Sequence, residues 1–344
     1  MRRLLHALLA LLVLLTTGRL PVQAADFAFD PAVRVQEVSI GEGRARLAGT
    51  LVLPGATGRY PAIAIITGSG AGSRLGGKKF PADARIAEHL ARNGIATLLL
   101  DRRGVGGSAG NWRRETIPDR ARDAVAVLRW LEARPDVDPA RTGLLGHSQG
   151  GWVVQRAAAD SPAVDFIVMM AGPAETVRAQ ILTDLRHERL GNGEDPRRVE
   201  RTARWLDRGL GLLVRVAPAC RTLRLMTLCS VVDYDPSPAL AQLRVPVLAL
   251  FAELDPMVPP EPNMRLLGEA LAEAGNDRLT MRLFAGSNHQ FWPARTGTRA
   301  EYPQLERRFV PGFLETISDW IGALPAVPAQ TSPSVSQPSP VPRL

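Results

Sequence analysis

Thr142-Gly143-Leu144-Leu145-Gly146-His147-Ser148-Gln149-Gly150-Gly151 is a short apolar run that ends in glycines placed around a serine. Thr142 to Leu145 reads as a buried strand, and a helix follows from Gln149. In that setting G-x-S-x-G describes a sharp strand-to-helix turn with the serine hydroxyl exposed at its tip. The flanking glycines let the backbone turn without a Cβ clash. The helix N-terminus adds a field that favours developing negative charge. The bland alternative is a glycine-rich helix start that binds nothing; the strand before it and the helix after it weigh against that.

Outward from this turn the chain alternates strands and helices. Val33–Ile40 and Ala45–Leu53, joined by Gly41-Glu42-Gly43, predict a hairpin. Pro61–Thr67 is a β-rich run ending in Gly68-Ser69-Gly70, and Ile95–Leu100 is another. Between them Ala82–Asn93 has helical spacing and stops at Gly94. Asp119–Ala133 is amphipathic, with Ala124, Val127, Leu128 and Leu131 on one face. Phe166–Met170, Val245–Phe251 and Leu279–Phe284 complete the strands; Asn263–Ala274 and Pro311–Leu324 complete the helices. Continuous apolar strands alternating with helices imply a mostly parallel, doubly wound α/β sheet. The rhythm breaks for about 70 residues, which are Arg-rich and helical in pattern, so a helical cap inserted between late strands is expected. The boundaries are a leader over 1–24, core over 25–172, cap over 173–243, core over 244–324, and a Pro/Ser-rich tail over 325–344, expected to be disordered.

Arg2 and Arg3, the apolar run Leu4–Leu15 and Val22-Gln23-Ala24 have the form of a secretory signal peptide cleaved after Ala24. The run is too short for a stable bilayer anchor. A periplasmic or secreted protein without stable membrane insertion is therefore expected. The 344 residues are 45 % hydrophobic and 22 % charged, which excludes a disordered chain. Net charge is +8 and the isoelectric point near 10.5. Lys78 and Lys79 are the only lysines, and the arginines are scattered among acids, so nucleic-acid binding is not expected. The densest basic stretch, Arg178 to Arg224, reads as a salt-laced helical surface. Attraction of an anionic substrate and attachment to a membrane surface are the sharper readings of it.

A serine nucleophile needs a base, and the base needs an orienting acid. His289, five residues past the strand ending at Phe284, is the expected base. His6 belongs to the leader, His89 to a helix before the turn, and His187 to the cap; His147 adjoins Ser148 and cannot easily turn its ring onto that hydroxyl. The acid should follow Val245–Phe251. Asp255, ahead of the rigid Pro256-Met257-Val258-Pro259 turn, is preferred over Glu253 and Glu175. Glu253 is expected to lie at the strand end, short of the loop carrying His289. The developing oxyanion needs two N–H donors: Gln149 supplies one, and Ser69, with Gly70 as alternate, the other. Asp101-Arg102-Arg103-Gly104-Val105-Gly106-Gly107-Ser108 has no phosphate-loop spacing and reads as a tight loop at the same sheet edge.

Together these pieces resemble the α/β-hydrolase superfamily over roughly Leu47 to Leu324. Within it the chain is similar to exported bacterial esterase-like proteins related to dienelactone hydrolases and prolyl-oligopeptidase catalytic domains. The matching pieces are Gly49-Thr50-Leu51, Thr67-Gly68-Ser69-Gly70, Asp101 to Gly104 with Gly107-Ser108, the serine turn, Tyr234-Asp235-Pro236 and Asn288-His289. Thr67 stands where relatives often carry a histidine. The resemblance implies hydrolysis of small or medium acyl esters through an acyl-enzyme, with a small-molecule acyl substrate and no cofactor or metal. A peptidase or thioesterase with the same residues, and a non-catalytic binding protein on the same scaffold, are the alternatives. Nothing in the sequence fixes the oligomeric state. Cys220 and Cys229, if joined by one continuous helix, would lie about 13 Å apart at ~1.5 Å per residue. That exceeds the ~7 Å reach of a disulfide, so two free thiols are expected.

Overall fold

A computed structural model describes residues 27–77, 80–223 and 227–326. The leader expected over 1–24 and nearly all of the tail, from residue 327 on, lie outside the described residues. The strands are β1 (Val33–Ile40), β2 (Leu47–Pro54), β3 (Tyr60–Ile66), β4 (Ala96–Leu100), β5 (Val137–His147), β6 (Phe166–Met170), β7 (Val247–Ala252) and β8 (Leu279–Phe284). They form one sheet in the order β1-β2-β4-β3-β5-β6-β7-β8. β2 pairs antiparallel with both β1 and β4, and every other neighbouring pair is parallel.

Alternation along the strands divides the core between the two faces. Ile63 and Ile65 of β3 pack with α1 (Ala82–Arg92) and α8 (Phe313–Ala323). Ala62, Ala64 and Ile66 pack on the other face with α2 (Ile117–Glu132), α3 (Gln149–Asp160) and α7 (Pro260–Glu273). Each fully buried Ile, Leu or Phe contributes about 1.5–3 kcal/mol relative to an exposed one. This two-sided burial is why the central strands read as continuous apolar runs.

Local chemistry sets the element ends. α2 starts at Ile117, two residues before the periodicity suggests, because Thr116 and Asp119 form a reciprocal capping box. β5 reaches back to Val137 through Asp138-Pro139, a stretch whose composition reads as a turn. The hairpin turn holds a short 3-10 helix, Gly43–Ala45, so β2 begins at Leu47. β7 begins at Val247, after a proline that has no N–H to give the ladder.

Between β6 and β7 the chain is helical: α4 (Val177–Gly191), α5 (Pro196–Leu223) and α6 (Ser237–Leu240). Here the cysteine expectation fails. Cys220 and Cys229 are disulfide-bonded, with Cα atoms 6.0 Å apart. α5 ends at Leu223, and a 3-10 turn follows over Thr227–Ser230. Arg221 in the last helical turn binds the Cys229 carbonyl at 3.3 Å and Asp233 at 2.7 Å, tying the returning chain to the helix end. The single helix assumed between the two cysteines is therefore broken.

Candidate active site

Parallel strands end at one edge of the sheet, so the segments after β3, β4, β5, β7 and β8 gather there. Ser148 sits between β5 and α3 with φ 54° and ψ −122°, a left-handed conformation a non-glycine residue adopts only under constraint. Its N–H donates to the Met170 carbonyl at 2.9 Å. Two glycines make the turn possible by close approach. A Cβ on Gly146 would lie 2.2 Å from the Gly150 carbonyl oxygen, and one on Gly150 would lie 2.3 Å from that of Ile66. Both glycines of the G-x-S-x-G pattern are thus required sterically.

Asp255 and His289 meet on the loops after β7 and β8. The His289 Nδ1 lies 2.7 Å from Asp255 Oδ2, and both residues are buried. The other carboxylate oxygen of Asp255 accepts the N–H groups of Met257 at 2.8 Å and Val258 at 3.0 Å. The Pro256–Pro259 turn therefore fixes the carboxylate, as its sequence suggests. Gln180 of α4 donates to the Met257 carbonyl at 2.8 Å, linking the helical insertion to this turn. On the other loop the Asn288 side-chain oxygen accepts the N–H groups of Gln290 and Trp292, holding the chain curled around His289.

The other two carboxylates do not touch His289. Glu175 accepts from the Thr183 hydroxyl at 3.3 Å, and burial pushes its carboxyl above the ordinary range. Glu253 corrects an expectation. It does reach the loop carrying His289, accepting the Gly286 N–H at 2.7 Å. Its role there is to hold the base of that loop, three residues before the imidazole.

His147 also bonds to this loop. Its Nε2–H donates to the His289 carbonyl at 3.1 Å, and the two rings lie 4.9 Å apart between centroids. Burial, then the neighbouring His289, pushes its pKa down to about 4, so it is a neutral donor at pH 7. Among the described residues no hydrogen bond joins the Ser148 hydroxyl to His289.

Gln149 opens α3, where a backbone N–H has no intrahelical partner. The segment Thr67–Gly70 runs beside Ser148: a Cβ on Gly68 would lie 3.3 Å from the Ser148 Cβ. Two buried arginines hold these parts from below. Arg120 of α2 donates to the Gln149 side-chain oxygen at 2.8 Å and to the Thr67 carbonyl at 2.5 Å. Arg102 donates to the Gly70 carbonyl at 3.0 Å and pairs with the buried Glu115 at 2.7 Å. Burial, then the nearby Arg102 charge, pushes Arg120 down to about 9, still cationic at pH 7. Sequence reasoning missed Arg120. Its signal was a charge on the apolar face of α2, three residues after Ile117 and four before Ala124. Among the described residues no group of three or more His, Cys, Asp or Glu is gathered as metal ligands would be.

Residues 50–302 match the sequence model of the Alpha/beta hydrolase family. An uncharacterised protein of Mycobacterium tuberculosis is 32 % identical over 148 residues, 43 % of this chain and 48 % of that protein. An uncharacterised 31.7 kDa protein of Escherichia coli is 28 % identical over 199 residues, 53 % of this chain and 70 % of that protein. A thiohydrolase of Aspergillus aculeatus is 33 % identical over 101 residues, 29 % of this chain and 32 % of that protein. The chain spans about half the length of the first of these curated relatives. Among solved structures, an esterase of Pyrococcus furiosus superposes with TM-score 0.55 at 15 % identity, covering 84 % of this chain and 91 % of that one. Carboxyl esterase 2 of Tuber melanosporum gives TM-score 0.55 at 18 % identity, covering 85 % and 87 %. These structural likenesses concern the fold.

Proposed function

Because the chain belongs to the alpha/beta hydrolase family, we propose that it is a serine hydrolase of small or medium acyl esters, working through Ser148, His289 and Asp255. The observation that carries this reading is the buried 2.7 Å contact between Asp255 and His289, at the sheet edge where Ser148 occupies its constrained turn. Asp255 orients the imidazole through Nδ1, which leaves Nε2 as the proton acceptor. As the ester enters, His289 takes the proton of the Ser148 hydroxyl while Oγ attacks the acyl carbonyl. The backbone N–H groups of Gln149 and Ser69, with Gly70 as alternate for the second, receive the oxyanion. The tetrahedral intermediate collapses as the leaving alcohol takes the proton from His289. Water then gives a proton to His289 as its oxygen attacks the acyl carbonyl, and the acid leaves as Ser148 Oγ takes that proton back.

A panel of p-nitrophenyl esters of increasing chain length, aminoacyl amides and an acyl thioester tests this. Turnover of the shorter esters that vanishes in Ser148→Ala is expected. Ester turnover that survives in Ser148→Ala overturns the mechanism, and preference for the amide or thioester reassigns the substrate. The Aspergillus thiohydrolase among the relatives is the reason for the thioester arm.

Export rests on the Arg2-Arg3 start, the Leu4–Leu15 run and Val22-Gln23-Ala24. N-terminal sequencing of the exported protein should begin at or very near Ala25; material that begins at Met1 contradicts cleavage.

A further inference from the structure

α5 is apolar on two sides. Val199, Ala203, Leu210 and Ala217 are buried, and Leu210 and Ala217 pack with Leu182 of α4 and Val232. The opposite side carries Trp205, 60 % exposed, Leu212, 63 % exposed, and Val216, 45 % exposed. Their spacing of seven and then four residues places them in one stripe along the helix. Beside that stripe, and exposed with it, run Arg201, Arg204, Arg208 and Arg215. The guanidinium of Arg208 lies over the Trp205 ring, 5.6 Å from its centroid.

Within the helix only Glu200 lies near one of these arginines, Arg204, and it forms no salt bridge with it. The two carboxylates of the helix, Glu200 and Asp207, are turned to Arg186 and Arg178 of α4. Among the described residues the exposed row makes no salt bridge. The face is therefore an exposed apolar stripe bordered by four arginines that form no salt bridge among the described residues.

We infer that this face of α5 docks the protein on an anionic lipid bilayer. A helix with Trp and Leu on one strip and arginines alongside suits the headgroup boundary: the apolar side chains enter the acyl edge while the guanidiniums meet lipid phosphates. Trp is at home at that boundary because its ring is apolar and its N–H is polar. A second copy fits this face poorly. A two-fold contact with the two helices antiparallel would set the arginine row against itself. No described helix is long and apolar enough to cross a membrane, and the contact proposed here is peripheral. The inference is independent of the reaction proposed at Ser148.

Co-sedimentation of the full chain with vesicles tests it. One set is pure phosphatidylcholine and the other equimolar phosphatidylcholine and phosphatidylglycerol. Wild type should bind the anionic set at least about tenfold better, and the preference should fade as salt is raised. Arg201→Gln/Arg204→Gln/Arg208→Gln should abolish the preference. Trp205→Ser/Leu212→Ser should abolish binding through this face with an unchanged melting temperature. The Leu4–Leu15 run is common to every variant, so differences between variants belong to α5. Equal binding to both vesicle types, or anionic binding that both variants retain, overturns the inference. So does a wild-type dimer in light scattering that Leu212→Ser dissociates, because a second copy would then own the face.

Discussion

Asp255 uses one carboxylate oxygen for two backbone N–H groups and the other for His289. Asp255→Asn can keep the first set of bonds, because its amide oxygen still accepts. Its NH₂ would then face Nδ1 and force the imidazole proton onto Nε2, the nitrogen that in the proposed reaction receives the serine proton. Ester turnover should fall towards the ~10⁴-fold seen when such an acid is neutralised elsewhere, while the melting temperature barely moves. Glu253→Gln should leave turnover near wild type, since its oxygen can still accept the Gly286 N–H. A collapse in Glu253→Gln with activity retained in Asp255→Asn would reverse the assignment. His147 gives a second residue-scale prediction. Its folded pKa, about 4, lies below the ordinary 6.5. Between those values the unfolded chain binds the extra proton, so stability is full above pH 6.5, declines as pH falls, and levels off below about 4. Thermal melts from pH 4 to 7 should show this decline, and His147→Gln, which keeps an N–H for the His289 carbonyl, should flatten it.

At the scale of elements, α2 reaches from beneath the sheet edge to both segments expected to receive the oxyanion. Arg120→Met removes the two hydrogen bonds while keeping much of the apolar stem. It should lower kcat by about tenfold to a hundredfold with little change in KM, less than the ~10²–10³ for deleting a donor outright. A change confined to the melting temperature would make Arg120 purely structural. The second element is α5, whose C-terminal end is closed by Cys220–Cys229. Alkylating the denatured, unreduced chain should add no label, and reduction should expose two thiols. Cys220→Ser/Cys229→Ser should lose about 2–4 kcal/mol, read as a lower melting temperature. Element types were legible because Ile63, Leu98, Leu144 and Val247 lie in runs that only a sheet covered on both faces can bury. The local settings of Ser148, Asp255 and His289 were legible because glycine spacing, a proline-bounded turn and position after a strand each mark a local constraint. The reach of Glu253 and the grip of Arg120 were not. Both depend on where a long side chain ends once distant segments have folded together. The helix break between the cysteines was hidden for a related reason: Thr222 to Leu228 contains no glycine or proline, and Arg221 acts on residues beyond it.

Across the whole molecule the sheet is interrupted in sequence but continuous in space. β6 ends at Met170, its parallel neighbour β7 begins at Val247, and the intervening chain is the helical insertion. Bringing those strands together must close a long loop before any contact between them is formed, which makes the pairing intrinsically slow. On refolding from denaturant with the disulfide intact, far-UV ellipticity should recover ahead of ester turnover. Coincident recovery would mean that the two halves of the sheet form as one unit.

The same order has a meaning for a chain made from its N-terminus. By the time Met170 has emerged, the strained serine turn has β3, β5 and β6 from which to be built, yet neither Asp255 nor His289 has been made. Asp255 and His289 arrive only with the last two strands. In the proposed reaction, a nascent or truncated chain ending anywhere in the insertion therefore carries a hydroxyl with no base to activate it, and synthesis itself delays the chemistry until the sheet is complete.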